Sequence, residues 1–283
     1  MFTRFAPSPT GLLHLGHAYA AEVAFQLAVR RGGTCLLRFE DIDHTRIRPE
    51  YYEAAIKDLD WLGIRFEETP WRQLDRLDAY GLTLETLKSL GVVYPCFCTR
   101  REIEAELDAM TSAPQGPEGP LYPGTCRGLG AGKIAALRAE GREPAWRIDA
   151  AAAAERCGPL TFEDLRFGRV EVDPFLLGDA VLARRDIGTS YHLAVVTDDA
   201  AQQISHVTRG EDLLASTHLH RVLQALLGFP EPRYLHHPLV TDSSGRRLAK
   251  RDDARALRTY RESGLSPAEI HAMLPPLPVA CSE

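Results

Sequence analysis

The segment RFAPSPTGLLHLGH, Arg4 to His17, joins a short apolar stretch, FTRFA, to a longer one, HAYAAEVAFQLAVRRGG, and this junction constrains the fold more than any other part of the chain. FTRFA has the length of a short buried strand. Pro7 and Pro9 end it, because proline has no amide to give a β-ladder and forces the residue before it extended. From His17 the residues Ala20, Val23, Ala24, Leu27 and Ala28 recur at helical spacing, with arginines in the last turn and a glycine stop. TCLLRFED then reads as a mostly buried strand. Strand, loop, helix and strand in this order predict a βαβ unit, hence a parallel sheet whose ligand site lies at the C-terminal ends of its strands. The proline and histidine loop sits at that place.

Composition narrows the setting. At 283 residues, with 45% hydrophobic and 25% charged residues, the chain is of globular type and long enough for one large domain or a domain with an appendage. No apolar run approaches the ~18 residues of a membrane span, and the N-terminus lacks the apolar region of a secretory signal, so the expected compartment is the cytoplasm. There, six cysteines read as free thiols or metal ligands rather than a disulfide framework. A formal charge of -6 excludes a generally basic nucleic-acid coat, and any such contact must come from a local patch.

Along the chain, EYYEAAIKDLDWLG and WRQLDRLDAYGLTLETLKSLG read as amphipathic helices closed by glycine. The texture changes after Tyr94. TSAPQGPEGPLYPGTCRG is too rich in proline and glycine for anything but loop, and residues 95–185 are expected to form an insertion with its own small fold. A strand pattern returns with SYHLAVVTDDA and QISHVTRGEDLL, followed by the helix STHLHRVLQALLG. The expected division is therefore 1–94 and 186–237 as two halves of one α/β domain, 95–185 as the insertion, and 238–283 as a short tail with the helix SPAEIHAMLP.

Two groups of residues carry chemistry. His14 and His17 flank Gly16 at a helix start, where imidazoles and the positive end of the helix dipole can donate to phosphate oxygens and glycine lets a planar base approach the backbone. Cys96 and Cys98 precede Cys126 by a long loop, and such thiolates in the cytosol commonly mean zinc. Three cysteines leave one ligand open, which Cys157, a nearby acid or Tyr122 could fill.

HLGH is similar to the HIGH signature of class I aminoacyl-tRNA synthetases, and RFAPSPTGLLHLGHA as a whole resembles their glutamyl and glutaminyl branch. Further matches fall in that branch's order. LRFEDID followed by TR resembles its second strand, YHLAVVTDDA and SHVTRGEDLL its second half, and RRLAKRD lies where the KMSKS loop belongs. YHLAVVTDDA and RGEDLLASTHLHRVLQALLG, with only 32 residues after Arg251, resemble the truncated glutamyl-Q group, whose members place glutamate on the queuosine base at the wobble position of tRNA(Asp).

The resemblance implies a Rossmann-type catalytic domain with an inserted zinc-binding subdomain, a short helical stem-contact-like C-terminal region and no anticodon-binding domain. It also implies a monomer whose partners are ATP with its Mg2+, L-glutamate and queuosine-bearing tRNA(Asp). Arg4 and Arg209 would clamp carboxylates, because guanidinium pairs with them two-toothed, with Ala6 and Ser8 on the same loop. Glu40 would hold the ammonium group, and Tyr191 would supply a hydroxyl and a ring wall. ATP would lie against His14, Gly16, His17 and Lys250, with His14, His17 and Lys250 stabilising the charge that develops during transfer. Arg247, Ala249 and Arg251 depart from the KMSKS pattern, and the serine hydroxyl lost at Ala249 removes one phosphate contact. One structural Zn2+ is implied on Cys96, Cys98, Tyr122 and Cys126. Asp41 and Asp43 read either as structural or as supports for the residues that touch the substrate. For tRNA, the basic cluster Arg246, Arg247, Lys250, Arg251, Arg255, Arg258 and Arg261 is the local patch. A minimal glutamyl-tRNA synthetase charging tRNA(Glu) and a non-catalytic tRNA-binding relic are the competing readings.

Overall fold

A parallel βαβ unit opens the chain: β1 (Phe2–Phe5), α1 (Leu15–Val29) and β2 (Thr34–Phe39), with β1 pairing β2 in parallel, Arg4 opposite Leu36. This computed structural model describes residues 1–66, 68–110, 114–117, 119–241 and 255–281. After α2 (Pro49–Trp61), the two-residue β3 (Trp71–Arg72) joins the far edge of β2, and α3 (Leu77–Ser89) follows.

The middle of the chain comprises β4 (Val93–Cys96), α4 (Arg100–Ala109), the small pair β5 (Gln115–Gly116) and β6 (Gly119–Pro120), α5 (Ala131–Ala139), β7 (Ala145–Ile148), α6 (Ala150–Cys157), β8 (Thr161–Asp164), β9 (Gly168–Glu171) and β10 (Val181–Ala183). Strands β10, β7 and β4 make an antiparallel sheet of their own. The hairpin β8–β9, inside the stretch expected as insertion, instead extends the main sheet. Then come α7 (Tyr191–Ala201), β11 (His206–Gly210), α8 (Leu214–Leu227), β12 (Arg233–His237), α9 (Leu257–Glu262) and α10 (Pro267–Met273).

Strands run β11, β12, β8, β9 in the second part of the main sheet, and β1 lies beside β11, where the Ser205 amide donates to the Phe2 carbonyl at 3.0 Å. The two halves of the α/β layer therefore meet between β1 and β11. Their C-terminal ends open together, which is where a doubly wound sheet leaves a crevice.

Helix α1 shows why the halves fit. Its alanines at 18, 21, 24 and 28 pack into the core formed with β2 and α2, while Tyr19, Val23 and Leu27 pack against Leu235 and Val240 of the second half. Small residues on one face and large ones on the other let one helix serve two layers. The helix begins at Leu15, not His17, because His14 caps it. The last helix before β4 begins at Leu77, Trp71 and Arg72 having joined the sheet instead.

SYHLAVVTDDA is the larger departure from expectation: it is the helix α7, not a strand. Seven consecutive residues, Leu193 to Asp199, are buried. A helix covered on every face shows no amphipathic period, so its apolar run is indistinguishable from a strand by pattern alone.

Candidate active site

A cleft of about 290 Å³ opens at the ends of β1 and β11, lined among others by Arg4, Ala6, Ser8, His14, Gly16, His17, Glu40, Tyr191 and Arg209. Residues from five separate segments thus converge at the crevice. The proline loop is pinned across the mouth of the sheet, since the Ser8 hydroxyl donates to the Glu40 carbonyl at 2.8 Å and the Glu40 amide donates to the Pro7 carbonyl at 3.1 Å. At Gly210, the end of β11, a Cβ would lie 2.4 Å from Asp212 Oδ1 and 2.8 Å from Leu239 Cδ2, so a larger residue there would push the ends of those two side chains aside. Lys250, Arg247, Ala249 and Arg251 lie outside the described residues. The ends of that stretch do reach the cleft. Val240 lines it, and beyond residue 254 Ala256 bridges His14 while the Leu257 amide donates to the Leu13 carbonyl at 2.8 Å.

The two nominated arginines are held in opposite electrostatic ways. Arg4 donates from Nε to Asp199 at 3.0 Å and from Nη1 to the Thr208 carbonyl at 2.9 Å. Asp199 also receives Arg38 at 2.8 Å, and Arg38 reaches Glu40 at 3.4 Å. Arg38 and Asp198 are fully buried, and Asp198 in turn accepts from Arg76 at 2.6 Å and from the Tyr80 hydroxyl at 2.8 Å. Burial works against ionisation of Asp199, yet Arg4 and Arg38 hold its carboxyl below the usual range. For Glu40 the balance reverses: burial pushes its carboxyl up by more than Arg38 and Arg4 pull it down. A cationic group arriving beside Glu40 would restore its charge.

Arg209, 6% exposed, has no ion-pair partner among the described residues. Its Nε donates to His236 Nε2 at 3.2 Å, Nη1 to His220 Nδ1 at 3.0 Å, and Nη2 to the Thr217 hydroxyl. Tyr191 Oη stands 3.5 Å from Nη1, and burial raises its pKa, keeping the phenol neutral. Among the described residues the Arg209 guanidinium thus faces the cleft without a carboxylate bonded to it, although Glu40 and Asp212 line the same cleft.

His14 and His17 form a reciprocal cap on α1. His14 Nδ1 accepts from the Gly16 amide at 3.1 Å, and His17 Nδ1 accepts from the His14 amide at 3.2 Å. A neutral imidazole that accepts at Nδ1 carries its proton on Nε2. Both rings, 3.9 Å apart and tilted by 50°, thus have an Nε2–H to donate at the positive end of the helix.

In the middle region, the sulfurs of Cys96, Cys98 and Cys126 lie within 4.8 Å of one another. The Tyr122 hydroxyl is 3.4 Å from both Cys96 and Cys98, and Cys98 Sγ is 3.4 Å from Cys126 Sγ. Four ligands tetrahedral about zinc, with bonds of about 2.3 Å to sulfur, would stand about 3.8 Å apart, so this donor set fits with small closure. Cys157 is elsewhere, its thiol against the Val222 carbonyl. Burial pushes the Cys98 thiol up to about 11, and the neighbouring Cys126 and Cys96 sulfurs add to it. The Arg147 guanidinium lies 3.8 Å above the Tyr122 ring.

The family model for class I tRNA synthetases of the E and Q type, catalytic domain, matches residues 1–277. The chain belongs to this family. Among synthetase relatives, the glutamyl-Q tRNA(Asp) synthetase of Rhodobacter capsulatus is 49% identical over 97% of this chain and 99% of its own length. A glutamate–tRNA ligase 2 of Syntrophus aciditrophicus is 37% identical over 94% of this chain, which spans 55% of that protein. The crystal structure of a glutamate tRNA ligase from Elizabethkingia meningosepticum, in complex with its amino acid, is similar with a TM-score of 0.80 at 28% identity, over 96% of this chain and 60% of the other. The Rossmann-type class I synthetase fold expected from the sequence is the one observed. No helix among the described residues is long and apolar enough to cross a membrane.

Several residues of this synthetase site escape a reading of motifs. Arg38 and Asp199, which brace Arg4, were signalled only as charges inside apolar runs, LLRFE and LAVVTDDA. His220, His236 and Thr217 carry no local signature, because their partner Arg209 is remote in sequence or on another element. Asp41 accepts from the Tyr52 hydroxyl at 2.7 Å and the Leu74 amide at 2.9 Å, a structural role as expected. Arg261 leaves the basic patch, since its guanidinium is tied at 3.1 Å to the buried Asp58.

Proposed function

We propose that this synthetase activates L-glutamate with ATP and transfers the glutamyl group to queuosine at the wobble position of tRNA(Asp), in the cytoplasm. The observation that carries the reading is the cleft's Arg209, without an ion-pair partner among the described residues, beside the Arg4–Asp199–Glu40 cluster, in a chain 49% identical over 97% of its length to a glutamyl-Q tRNA(Asp) synthetase. Glutamate brings two carboxylates and an ammonium group. Arg209 and Arg4 take the carboxylates, Glu40 the ammonium, and Tyr191 closes one wall; Ala6 and Ser8 keep the loop backbone close to the amino acid.

In the first step an α-carboxylate oxygen attacks the α-phosphorus of ATP, and the bond to pyrophosphate breaks with its electron pair. The Nε2–H groups of His14 and His17 donate to the phosphate oxygens as charge shifts onto them. Gly16 leaves room for the nucleotide, and Lys250, by its place in RRLAKRD, is the cation on the pyrophosphate side. Mg2+ bound with ATP supplies charge neutralisation to the phosphates. In the second step a queuosine hydroxyl attacks the acyl carbon, AMP departs, and the hydroxyl proton goes to the departing phosphate. Cys96, Cys98, Tyr122 and Cys126 would hold Zn2+, which supplies a structural staple for a segment poor in core.

The test is ATP-dependent transfer of labelled glutamate to three purified tRNAs: queuosine-bearing tRNA(Asp), the same tRNA without queuosine, and tRNA(Glu). Labelling confined to the first is expected. Labelling of tRNA(Glu) instead would make the chain a minimal glutamyl-tRNA synthetase, and labelling of none, without glutamate-dependent pyrophosphate exchange, would make it a relic.

A further inference from the structure

Among the described residues Arg209 is set by uncharged groups, and the nearest of them forms a chain with directional consequences. A guanidinium only donates, so at 3.0 Å His220 Nδ1 must offer a lone pair to Nη1. The single ring proton of His220 then sits on Nε2. That proton points at His192 Nδ1, 3.1 Å away, which must accept it, leaving the His192 proton on its own Nε2. The arginine thereby dictates the tautomers of two histidines in succession. Tyr191 is tied into the same group, its ring 5.6 Å from that of His220 and 5.5 Å from that of His192.

The charge logic favours imidazole at this position. A carboxylate in place of His220 would hold Arg209 more tightly but cancel the charge that an anionic ligand has to find. An aliphatic side chain would leave the charge but release the guanidinium plane. A neutral acceptor fixes the plane and spares the charge. His220 is 2% exposed, and burial together with Arg209 holds its pKa well below the ordinary histidine value, so the neutral form persists across the working range.

We infer that His220, backed by His192, is a positioning residue that orients Arg209 for a substrate carboxylate; the inference rests on the glutamate-activating reading above. The test is glutamate-dependent ATP–pyrophosphate exchange by the full chain, with His220→Leu and His220→Gln compared. Leucine removes the acceptor at similar volume, whereas a glutamine carbonyl can accept from Arg209 while its amide donates to His192. His220→Leu is expected to raise the KM for glutamate by about ten- to a hundredfold, as loss of a charged hydrogen bond does, with the KM for ATP unchanged. His220→Gln is expected to stay within about threefold of the parent. An unchanged glutamate KM in His220→Leu overturns the role, as does a glutamine variant that folds but fails as badly as leucine. Nitrogen NMR of the labelled parent gives a second reading that needs no leucine variant: His220, assigned by its disappearance in His220→Gln, must be unprotonated at Nδ1, and a proton there overturns the inference. Parent protein without glutamate-dependent exchange would overturn the function itself, whereas normal parent exchange with either adverse result above overturns only the positioning role.

Discussion

Replacing His14 by asparagine separates two duties that the wild-type ring performs at once. As the residue capping α1, His14 accepts the Gly16 amide at 3.1 Å through Nδ1, while its Nε2–H is the donor proposed above for ATP. Asparagine is among the best capping residues, and its Oδ1 can take the same amide, so helix stability should change by less than about 0.5 kcal/mol. The reciprocal bond from the residue-14 amide to His17 Nδ1 involves only backbone at that end and survives. What disappears is one donor aimed at a phosphate oxygen. Loss of such a donor where charge develops costs about a hundred- to a thousandfold in rate, or about 3–4 kcal/mol of barrier. His14→Ala should lose the same rate and in addition about 1 kcal/mol of stability. Single-turnover adenylate formation and chemical denaturation of both variants decide the matter. If His14→Asn keeps more than a third of the parent rate, the donor assignment is wrong; if it is as unstable as His14→Ala, the capping assignment is wrong.

Arg209→Lys keeps the charge but cannot reach His236, His220 and Thr217 together, so the glutamate KM should rise about tenfold or more in pyrophosphate exchange; a change under threefold would contradict the bidentate role. Cys126→Ser should release bound zinc and loosen the segment around β5 and β6, read as metal content and protease sensitivity, and undiminished zinc would discard the ligand set. Arg261→Ala strands the buried carboxyl of Asp58 and should cost about 3 kcal/mol of stability, checked by urea melts, with Asp58→Asn in the same background recovering part of it. His192 and His236 have folded pKa values lowered to about 4 by burial, against 6.5 when free. The unfolded chain therefore takes up protons first. Stability should be constant above pH 6.5 and fall as pH drops from there toward 4, by about 1.4 kcal/mol per pH unit for each ring. Urea melts at pH 7 and pH 5 with equal midpoints would show that these histidines are not neutral in the native state.

The part of the site made by consecutive residues was legible in the sequence. Pro7 and Pro9 could only end β1, and the apolar spacing after His17 placed the helix that His14 caps. The part made by burial was not legible. α7 passes between layers, so the alternation that marks an exposed face never appears in LAVVTDD, and a helix read as a strand misplaces every side chain on it. Asp199 reaches Arg4 only because α7 is a helix at that depth. The hairpin β8–β9 presents the same difficulty in another form: its pairing partner β12 is remote in sequence, and Asp164 serves His236 only after that pairing is made.

The fold handles two buried arginines in one cleft by two different means, and the difference assigns their work. Arg4 and Arg38 share Asp199, with Asp198 and Glu40 close by, so that cluster is near neutrality and tolerates burial at little electrostatic cost. Among the described residues the hydrogen-bond partners of Arg209 are imidazole and hydroxyl groups. His236 accepts from Arg209 at Nε2, so its proton is on Nδ1, where Asp164 receives it at 2.6 Å; the carboxylate is thereby kept one ring away from the guanidinium. At that remove Asp164 lessens the cost of burying the charge without cancelling it inside the cleft. An anion entering the cleft completes the balance, while a cation meets Glu40, whose carboxyl burial pushes up despite Arg38 at 3.4 Å. A ligand carrying both signs, with carboxylate toward Arg209 and ammonium toward Glu40, satisfies the two groups together, and a simple dicarboxylate lacking the amine satisfies only one. The amino group should therefore contribute to affinity through Glu40, and Glu40→Gln should bring the affinities of glutamate and glutarate closer together; an undiminished preference for glutamate would place the ammonium elsewhere.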